Sequence, residues 1–281
     1  MSAVNGKVCA VTGAGSGIGR ALALGLARRG CRLALADRDE AGLAETARLA
    51  GGEVFTQALD VTDRDGVVAW ADAVFERFHQ VNQVYNNAGI AFSRTVLESE
   101  WADYERVLGV NLWGVIHGTK AFLPHVIASG DGHVTNVSSL NGIMAQAEMS
   151  HYCTSKFGVR GFTETLRIEM LEAGHRVGVT SVHPGGIKTN IATSALESAR
   201  TLDMEVTAAD EARQKLYNEK LLKMDPDQAA RTILDGVEKN RGRVLVGNDA
   251  KALDLFIRAV PSLYPRALAR AARGMDRRFS R

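Results

Sequence analysis

Hydrophobic and polar positions along this chain alternate between short apolar runs of strand length and longer segments with helical spacing. Strands are predicted where β-branched and other apolar residues cluster, at 7–12, 32–37, within 53–60, and at 82–89, 133–139, 177–184 and 243–247. Helices are predicted where small and apolar residues recur at helical spacing, at 17–29, 67–78, 104–127 and 152–172.

Strands that alternate with helices of this length pair in parallel through right-handed crossovers. No repeat, low-complexity linker or composition break precedes the basic end of the chain. The pattern therefore predicts one α/β Rossmann-type domain over residues 1–265, with a doubly wound, mostly parallel sheet covered by helices on both faces. Residues 189–224 are long, charged and helix-prone; they fit either a substrate-binding lid at the carboxyl end of a strand or two additional surface helices.

Composition indicates a soluble globular enzyme, since 46% of the 281 residues are hydrophobic and 23% are charged. Cys9, Cys31 and Cys153 form no CxxC pair, which favours reduced thiols in an intracellular protein, the first two packed as small hydrophobes. No secretory signal pattern and no apolar run of membrane-spanning length is present. A cytoplasmic location is the expectation.

Charge is unevenly placed along the chain. Residues 266–281 hold six arginines and one acid and carry +5, so the preceding body carries −3 of the total of +2. A body of this sign argues against nucleic-acid binding. The basic tail fits an amphipathic helix on an anionic membrane surface, but a solvated or subunit-packing terminus is the preferred interpretation.

A glycine cluster joins the first predicted strand to the first predicted helix. Gly13, Gly15, Gly17 and Gly19 let the backbone approach a pyrophosphate, which the amide groups of a helix N-terminus bind. The cluster alone is weak evidence, but Asp37 follows Gly19 by 18 residues at the end of the second strand. This is close to the ~20 residues expected for the carboxylate that binds the adenosine ribose.

Asp37 also bears on the choice between NAD and NADP. Repulsion between its carboxylate and a 2′-phosphate would amount to ~4 kcal/mol per charge pair at ~4 Å and an effective dielectric constant of ~20. Arg38 argues the other way, since a guanidinium there could clamp the phosphate. Ser16, inside the turn, adds no second cation, so NAD is preferred.

Tyr152 and Lys156 lie four residues apart, which places both side chains on one face of a helix. A tyrosine that acts as a base near neutrality needs a pKa about 2 units below its usual value near 10. A neighbouring cation favours the phenolate. This spacing alone occurs by chance on many helices.

At this point the chain resembles the short-chain dehydrogenase/reductase family, from about residue 6 to residue 189. The motifs that carry the resemblance occur in family order: TGAGSGIG at 12–19, Asp60-Val61, NNAG at 86–89, Asn111 in VNLWG, NVSS at 136–139, YCTSK at 152–156 and PGGIKT at 184–189. Any one could be accidental, whereas their joint occurrence is highly specific.

The resemblance implies a catalytic tetrad. Tyr152 would be the general acid/base, and Lys156 would bind the nicotinamide ribose and lower the tyrosine pKa. Ser139, rather than Ser138, would hold the substrate oxygen. Asn111 would position a water that links Lys156 to solvent.

The resemblance also implies which residues line the cofactor cleft. Asp60 and Val61 would contact adenine, and Ile187 and Thr189 would meet the nicotinamide carboxamide. The full expected set is Gly13, Ser16, Gly17, Ile18, Gly19, Asp37, Arg38, Asp60, Val61, Asn87, Ala88, Gly89, Tyr152, Lys156, Pro184, Gly185, Ile187 and Thr189.

The expected function is hydride transfer between NAD and a secondary alcohol or carbonyl substrate. An NADP-linked carbonyl reductase is the alternative, and a non-catalytic dinucleotide-binding scaffold is the less favoured one. The resemblance implies a homodimer or homotetramer, with contacts through the helices that begin near Tyr104 and Tyr152.

Some residues that invite a functional role are interpreted as structural. His151 is expected to face solvent or a subunit partner, because neighbouring helical residues point about 100° apart. Trp70, Trp101 and Trp113 are expected to fill the core or an interface. No HExxH motif or thiol pairing indicates a metal site.

Overall fold

The computed structural model describes residues 3–189 and 222–270. Its strands form one seven-stranded sheet in the order β3-β2-β1-β4-β5-β6-β7, and every neighbouring pair is parallel. The predicted fold class is confirmed. The strands are β1 (Val8–Thr12), β2 (Arg32–Asp37), β3 (Val54–Ala58), β4 (Gln83–Asn86), β5 (Gly132–Val137), β6 (Val177–Pro184) and β7 (Arg243–Val246).

Helices cover both faces of this sheet. They are α1 (Gly17–Ala27), α2 (Glu40–Ala50), α3 (Arg64–Phe78), α4 (Trp101–Leu108), α5 (Gly114–Ala128), α6 (Ser150–Glu172), α7 (Pro226–Glu238) and α8 (Asn248–Ala259). The predicted helices at α1, α3 and α6 are confirmed. The apolar pattern did not identify α2, α7 or α8.

The strands β1, β2, β4, β5 and β6 are buried because each face of the sheet has its own apolar layer. Leu22 and Leu26 of α1 pack with Ile233 of α7 on one face. Trp70 of α3 and Phe122 of α5 pack on the other, with their rings edge to face and centroids 4.9 Å apart. Burial on both faces explains why most of these strands appear in the sequence as continuous apolar runs, whereas the edge strand β3 is largely exposed.

Several helices begin at an aspartate that the apolar pattern does not reveal. The side chains of Asp39, Asp63 and Asp225 each accept a hydrogen bond from a backbone N–H of the following first turn. A cap of this kind stabilises a helix by about 1 kcal/mol. These caps define the starts of α2, α3 and α7.

The predicted helix at 104–127 is two helices joined by a π-helical turn at Gly109–Trp113. The Gly114 N–H bonds to the Gly109 carbonyl, five residues back, so the turn holds one more residue than an α-helical turn. Asn111 lies in this turn and is fully buried. Periodicity predicted the extent of the rod but not the interruption.

Two sequence predictions fall largely outside the described residues. Of the predicted lid at 189–224, residues 190–221 lie outside them, as do residues 271–281 of the basic tail. Residues 264–270 are helical, and the Tyr264 hydroxyl accepts a hydrogen bond from the Ala145 N–H (3.3 Å). No helix in the described ranges is both long and apolar enough to cross a membrane.

Candidate active site

The predicted site residues gather at the carboxyl edge of the parallel sheet. The chain order reverses between β1 and β4, since β2 and β3 lie on one side and β5 to β7 on the other. In open α/β sheets, ligands bind at this switch point. The loops that follow β1, β4, β5 and β6 meet there and carry the glycine turn and the other motifs.

The glycine turn after β1 is closed by the loop after β4. Gly13 has φ +67°, and a Cβ atom there would lie 2.7 Å from the Ala88 Cα. The Asn87 side chain donates to the carbonyls of Thr12 (3.1 Å) and Gly13 (3.2 Å). Thr12 in turn accepts from the Asn87 and Ala88 N–H groups. The turn therefore leaves space only for glycine at position 13.

The α1 N-terminus opens directly from this turn. Ser16 is the N-cap and Gly17, with φ +52°, is the first helical residue. No acidic side chain lies in the first turn, which holds Ile18 and Gly19. The N–H groups of such a terminus suit an anion, so the residues present fit a dinucleotide pyrophosphate.

Asp37 lies against the glycine turn at the end of β2. Its carboxylate accepts from the Gly15 N–H (2.7 Å) and from the Asp39 N–H (3.0 Å). The next residue, Arg38, is exposed. The structure thus places a carboxylate, and not the neighbouring guanidinium, on the turn itself.

Arg20, in α1, contacts the glycine turn and was not predicted from the sequence. Its Nε donates to Thr46 Oγ1 (2.9 Å), and its terminal nitrogen contacts the carbonyls of Gly15 and Gly42. Thr46 is fully buried and donates to the Ala14 carbonyl (2.8 Å). Because the guanidinium is engaged with α2 and the turn, it braces the turn rather than presenting charge to a ligand.

Asp60 and Val61 lie farther along the same edge, after β3. Asp60 is exposed, and its carboxylate accepts from the N–H and hydroxyl of Thr62 (2.9 and 2.8 Å). Val61 is buried, and its carbonyl lies 3.1 Å from Nδ1 of His117. A Cβ atom on Gly114 would lie 2.6 Å from a Val61 methyl group, so the pair lies against the start of α5.

Tyr152 and Lys156 occupy one face of the first turns of α6. The Lys156 ammonium lies 5.7 Å from the centroid of the Tyr152 ring and donates to the Val137 carbonyl (3.0 Å). Both residues are buried, with Lys156 3% and Tyr152 8% exposed. Burial lowers the pKa of Lys156 from 10.5 to about 8, so at neutral pH most of the molecules keep this cation.

Gly89 provides the space in which two of the predicted polar groups approach each other. A Cβ atom there would lie 3.2 Å from Asn111 Oδ1 and 3.4 Å from the Lys156 ammonium. The Asn111 amide is held by the backbone of Ile90 (2.8 and 2.9 Å) and donates to Ser155 Oγ (3.2 Å). The structure thus brings the loop after β4, the π turn and α6 together.

Ser138 and Ser139 have different partners. The Ser138 hydroxyl donates to the Lys156 carbonyl (2.8 Å), which uses its proton inside the fold. Ser139 Oγ instead accepts from the Asn141 N–H (3.1 Å) at the start of a short 3-10 turn. The Ser139 hydroxyl therefore keeps its proton for another acceptor, which favours Ser139 over its neighbour as the substrate-binding serine.

The prediction that His151 faces solvent or a partner subunit is wrong. The side chain is fully buried against the rings of Phe92 and Tyr104. Its Nδ1 accepts from the Tyr152 N–H (2.9 Å), one of the donors that a first helical turn leaves unpaired. The 100° angle between neighbours shows only that His151 points away from Tyr152, not that it points to water.

The tryptophans divide between core and surface. Trp70 is buried, as predicted, while Trp101 is 87% and Trp113 54% exposed in the single chain. The interface role expected for these two stays a prediction.

The loop that follows β6 after Pro184 approaches the start of α1 in space. Gly185 donates to the Val246 carbonyl (2.9 Å), and Ile187 is buried. A Cβ atom on Gly17 would lie 3.2 Å from the Thr189 methyl group, so the loop closes over the α1 N-terminus.

Asp249 holds this loop in place and was also not predicted from the sequence. Its carboxylate accepts from the Gly186 N–H (2.7 Å), and a Cβ atom on Gly185 or Gly247 would collide with it. Asp249 lies in the first turn of α8, 63 residues from its partner, so no local pattern reveals the contact.

Comparison with known proteins gives the same family as the motifs. A family model described as short chain dehydrogenase matches residues 7–200. The putative oxidoreductase SadH of Mycobacterium tuberculosis is 52% identical over 276 residues, which cover 96% of each chain. FabG of Thermotoga maritima, a 3-oxoacyl-(acyl-carrier-protein) reductase, is 34% identical over 200 residues, or 70% of this chain and 80% of FabG.

A solved structure has a closely similar fold. A short chain dehydrogenase/reductase from Burkholderia phymatum, in complex with NAD, is 33% identical and superposes with a TM-score of 0.85. The match covers 94% of this chain and 97% of that one. The chain therefore belongs to the short-chain dehydrogenase/reductase family and is an NAD(P)-dependent oxidoreductase.

Proposed function

We propose that this enzyme transfers hydride between NAD and a secondary alcohol or its carbonyl counterpart, with Tyr152 as general acid/base. The observation that carries the proposal is the buried Lys156 ammonium beside the Tyr152 ring, 5.7 Å from its centroid. Both side chains lie at the carboxyl edge of the sheet. The Lys156 ammonium donates to the Val137 carbonyl and the Lys156 carbonyl accepts from the Ser138 hydroxyl, and Ser139 is the next residue along the chain. Ser139 is therefore beside this pair.

The proton chemistry follows from these positions. In the oxidative direction the Tyr152 phenolate takes the proton of the substrate hydroxyl, and in the reductive direction the phenol returns it. The Lys156 ammonium favours the phenolate by its charge, in surroundings where little water screens it. A bound nicotinamide dinucleotide supplies the hydride acceptor or donor.

Ser139 and Asn111 assist this transfer in different ways. The Ser139 hydroxyl, whose oxygen already accepts from Asn141, donates to the substrate oxygen and stabilises its changing charge. The Asn111 amide is engaged with Ile90 and Ser155. A water that links Lys156 to solvent would therefore bind another atom of this residue, in the π turn where the backbone bonding is altered.

We propose NAD as the preferred dinucleotide. The Asp37 carboxylate is fixed on the glycine turn by the Gly15 N–H, where it would accept from a ribose hydroxyl and repel a 2′-phosphate. The guanidinium of Arg20, in α1 beside the turn, is engaged by Thr46 and two carbonyls. The exposed Arg38 is the feature that favours the NADP alternative.

The remaining cleft residues are proposed to bind the dinucleotide as follows. Asp60 and Val61 contact adenine, and Asn87, Ala88 and Gly89 line the cleft near the glycine turn. Ile187 and Thr189 bind the carboxamide end. The proposed set also includes Gly13, Ser16, Gly17, Ile18, Gly19, Pro184 and Gly185.

We also propose a homo-oligomer that forms through the helix pair α5 and α6. Exposed aromatic side chains lie on or next to these helices, with Trp113 54% and Phe157 41% exposed. Apolar surface of this kind is typical of an interface. Light scattering coupled to size exclusion would measure the assembly, and a purely monomeric mass would contradict it.

The deciding experiment is a panel of secondary alcohols and ketones, followed by the absorbance of the reduced nicotinamide. Wild type should turn over at least one class, and Tyr152→Phe should lose activity by ~10²–10⁴-fold while it still binds the dinucleotide. A protein that binds the dinucleotide but turns over no member of the panel would support the scaffold alternative. Equal activity of Tyr152→Phe would refute the proposed mechanism.

A further inference from the structure

A second histidine lies behind Ser139, on the neighbouring strand. His183, in β6, is fully buried. Its Nδ1 lies 2.9 Å from the Ser139 carbonyl oxygen, and its Nε2 lies 3.0 Å from Ser181 Oγ. Both partners of this imidazole are themselves buried.

The partners define which nitrogen carries the proton. A carbonyl oxygen can only accept, so Nδ1 of His183 must donate to Ser139. Nε2 is then the acceptor and receives the Ser181 hydroxyl proton. Burial lowers the pKa of His183 to about 4, which keeps the ring in this neutral form at neutral pH.

The contact between His183 and Ser139 lies where the hydrogen-bond ladder between β5 and β6 ends. β5 and β6 pair as far as Val137 opposite Val182, and the last bond of the ladder runs from the Ser138 N–H to the Val182 carbonyl (2.8 Å). Ser139 is the first residue beyond it. The His183 side chain extends the support by one residue, because it bonds the Ser139 carbonyl, which no strand partner reaches. The same carbonyl also accepts from the Gly142 N–H (3.0 Å) of the following 3-10 turn.

This support has a direct consequence for the Ser139 hydroxyl. The Ser139 backbone is extended, with φ −165° and ψ 169°, and its Oγ caps the 3-10 turn at Leu140–Gly142. A rotation of the peptide after Ser139 would turn its carbonyl away from His183 and Gly142 and displace the Asn141 N–H that holds Oγ. The bond from the fixed His183 ring opposes that rotation from outside the 3-10 turn.

We propose that His183 is a positioning residue that aims the Ser139 hydroxyl at the substrate oxygen, and that Ser181 maintains the tautomer this requires. The inference rests on the proposed role of Ser139. It assigns no proton transfer to His183, whose ring bonds only to the fold through Ser139 and Ser181.

Three substitutions at position 183 separate positioning from packing. His183→Asn keeps a donor near the place of Nδ1, whereas His183→Gln places its amide near Nε2, and His183→Leu keeps the volume without any donor. We expect kcat to fall about tenfold or more in the Leu and Gln variants and to recover to within about threefold in the Asn variant. The dissociation constant of NADH, measured by fluorescence, should be the same in all of them.

A matched control is available in the neighbouring strand. His133 is also fully buried and bonds Thr180 (2.8 Å), near the start of β5 and away from the carboxyl edge. His133→Gln should lower the melting temperature to a similar degree but leave kcat unchanged. A purely structural role of His183 would make the two histidine positions behave alike.

The outcomes are separable from those of the proposed function. Activity retained by Tyr152→Phe would refute the mechanism whatever position 183 does. With Tyr152→Phe inactive, wild-type kcat in His183→Leu or equal kcat in the Asn and Gln variants would overturn the positioning role alone. Should the Leu variant fail to fold, the Asn and Gln pair still decides, since both are polar and differ only in reach.

Discussion

The two ends of the site are built in opposite ways. At the glycine turn, function depends on backbone N–H groups and on missing side chains, as the Gly13 conformation and its approach to Ala88 illustrate. At the proposed catalytic end the site consists of buried polar side chains, chiefly Lys156 and Ser139. A substitution at the turn therefore acts by steric exclusion of the bound dinucleotide or of the turn itself. A substitution at the proposed catalytic end is expected to act on the charge and orientation of these groups.

The largest expected effect is at Lys156. Lys156→Met removes the charge that favours the phenolate, so kcat should fall at least about a hundredfold. Keeping the ammonium buried, with its pKa lowered from 10.5 to about 8, costs the protein without ligand about 3 kcal/mol below pH 8. Loss of the Val137 hydrogen bond offsets about 1 kcal/mol of this, so the variant should be more stable than wild type at pH 7.

The sign of this stability difference can be followed with pH. The unfolded chain holds the Lys156 proton more tightly, so wild type gains stability between about pH 8 and pH 10.5 and the advantage of the variant disappears there. Urea unfolding at several pH values measures it. Lys120→Met, on the exposed side of α5, is the control, and a pH-independent difference at Lys156 would contradict the prediction.

At the glycine turn the expected loss is in binding. Gly13→Ala must place a Cβ atom 2.7 Å from the Ala88 backbone in a positive-φ conformation, so dinucleotide affinity should fall by tenfold or more with a lower melting temperature. Gly30→Ala has a similar φ of +70° but nothing within 4 Å, and it should lose only about 1 kcal/mol of stability. Calorimetric titration of NADH compares them. Equal affinities would mean that the turn adapts.

Asp37→Asn tests the charge on the turn without removing its shape. The amide oxygen can still accept from the Gly15 N–H, while repulsion of a 2′-phosphate disappears, so NADP affinity should rise about tenfold relative to NAD. Asp39→Asn, at the exposed cap of α2, should leave the ratio unchanged. Fluorescence titration with both dinucleotides measures it, and a wild-type enzyme that already prefers NADP would reverse the proposed cofactor preference.

The smallest expected effect is at the loop after β6, which is held by both backbone and side-chain hydrogen bonds. Asp249→Ala removes the acceptor of the Gly186 N–H, worth about 1 kcal/mol, so KM for NAD should rise about fivefold with little change in kcat. Asp227→Ala removes an acid from the first turn of α7 in the same way and serves as control. A change in kcat alone would place the loop at the catalytic end of the comparison.

Sequence reasoning succeeded where the signal was local. The buried strands, the glycine turn and the Tyr152–Lys156 spacing each depend on residues within one strand or two helical turns. The residues that it missed have distant partners: Arg20 bonds across 26 residues and His183 across 44. The prediction that His151 is exposed failed for a related reason, because the rings of Phe92 and Tyr104 that bury it come from other elements.

The π turn has a consequence for how this rod of helix tolerates change. A regular helix rotates by 100° per residue, so the additional residue in Gly109–Trp113 sets the phase between the inward side of α4, with Val107, and that of α5, with Val115 and Phe122. Deleting one residue there would restore an unbroken α-helix of higher regularity. It would also rotate α4 out of its packing position and break the hydrogen bonds between the Asn111 amide and Ile90. The more regular helix would therefore lower the activity.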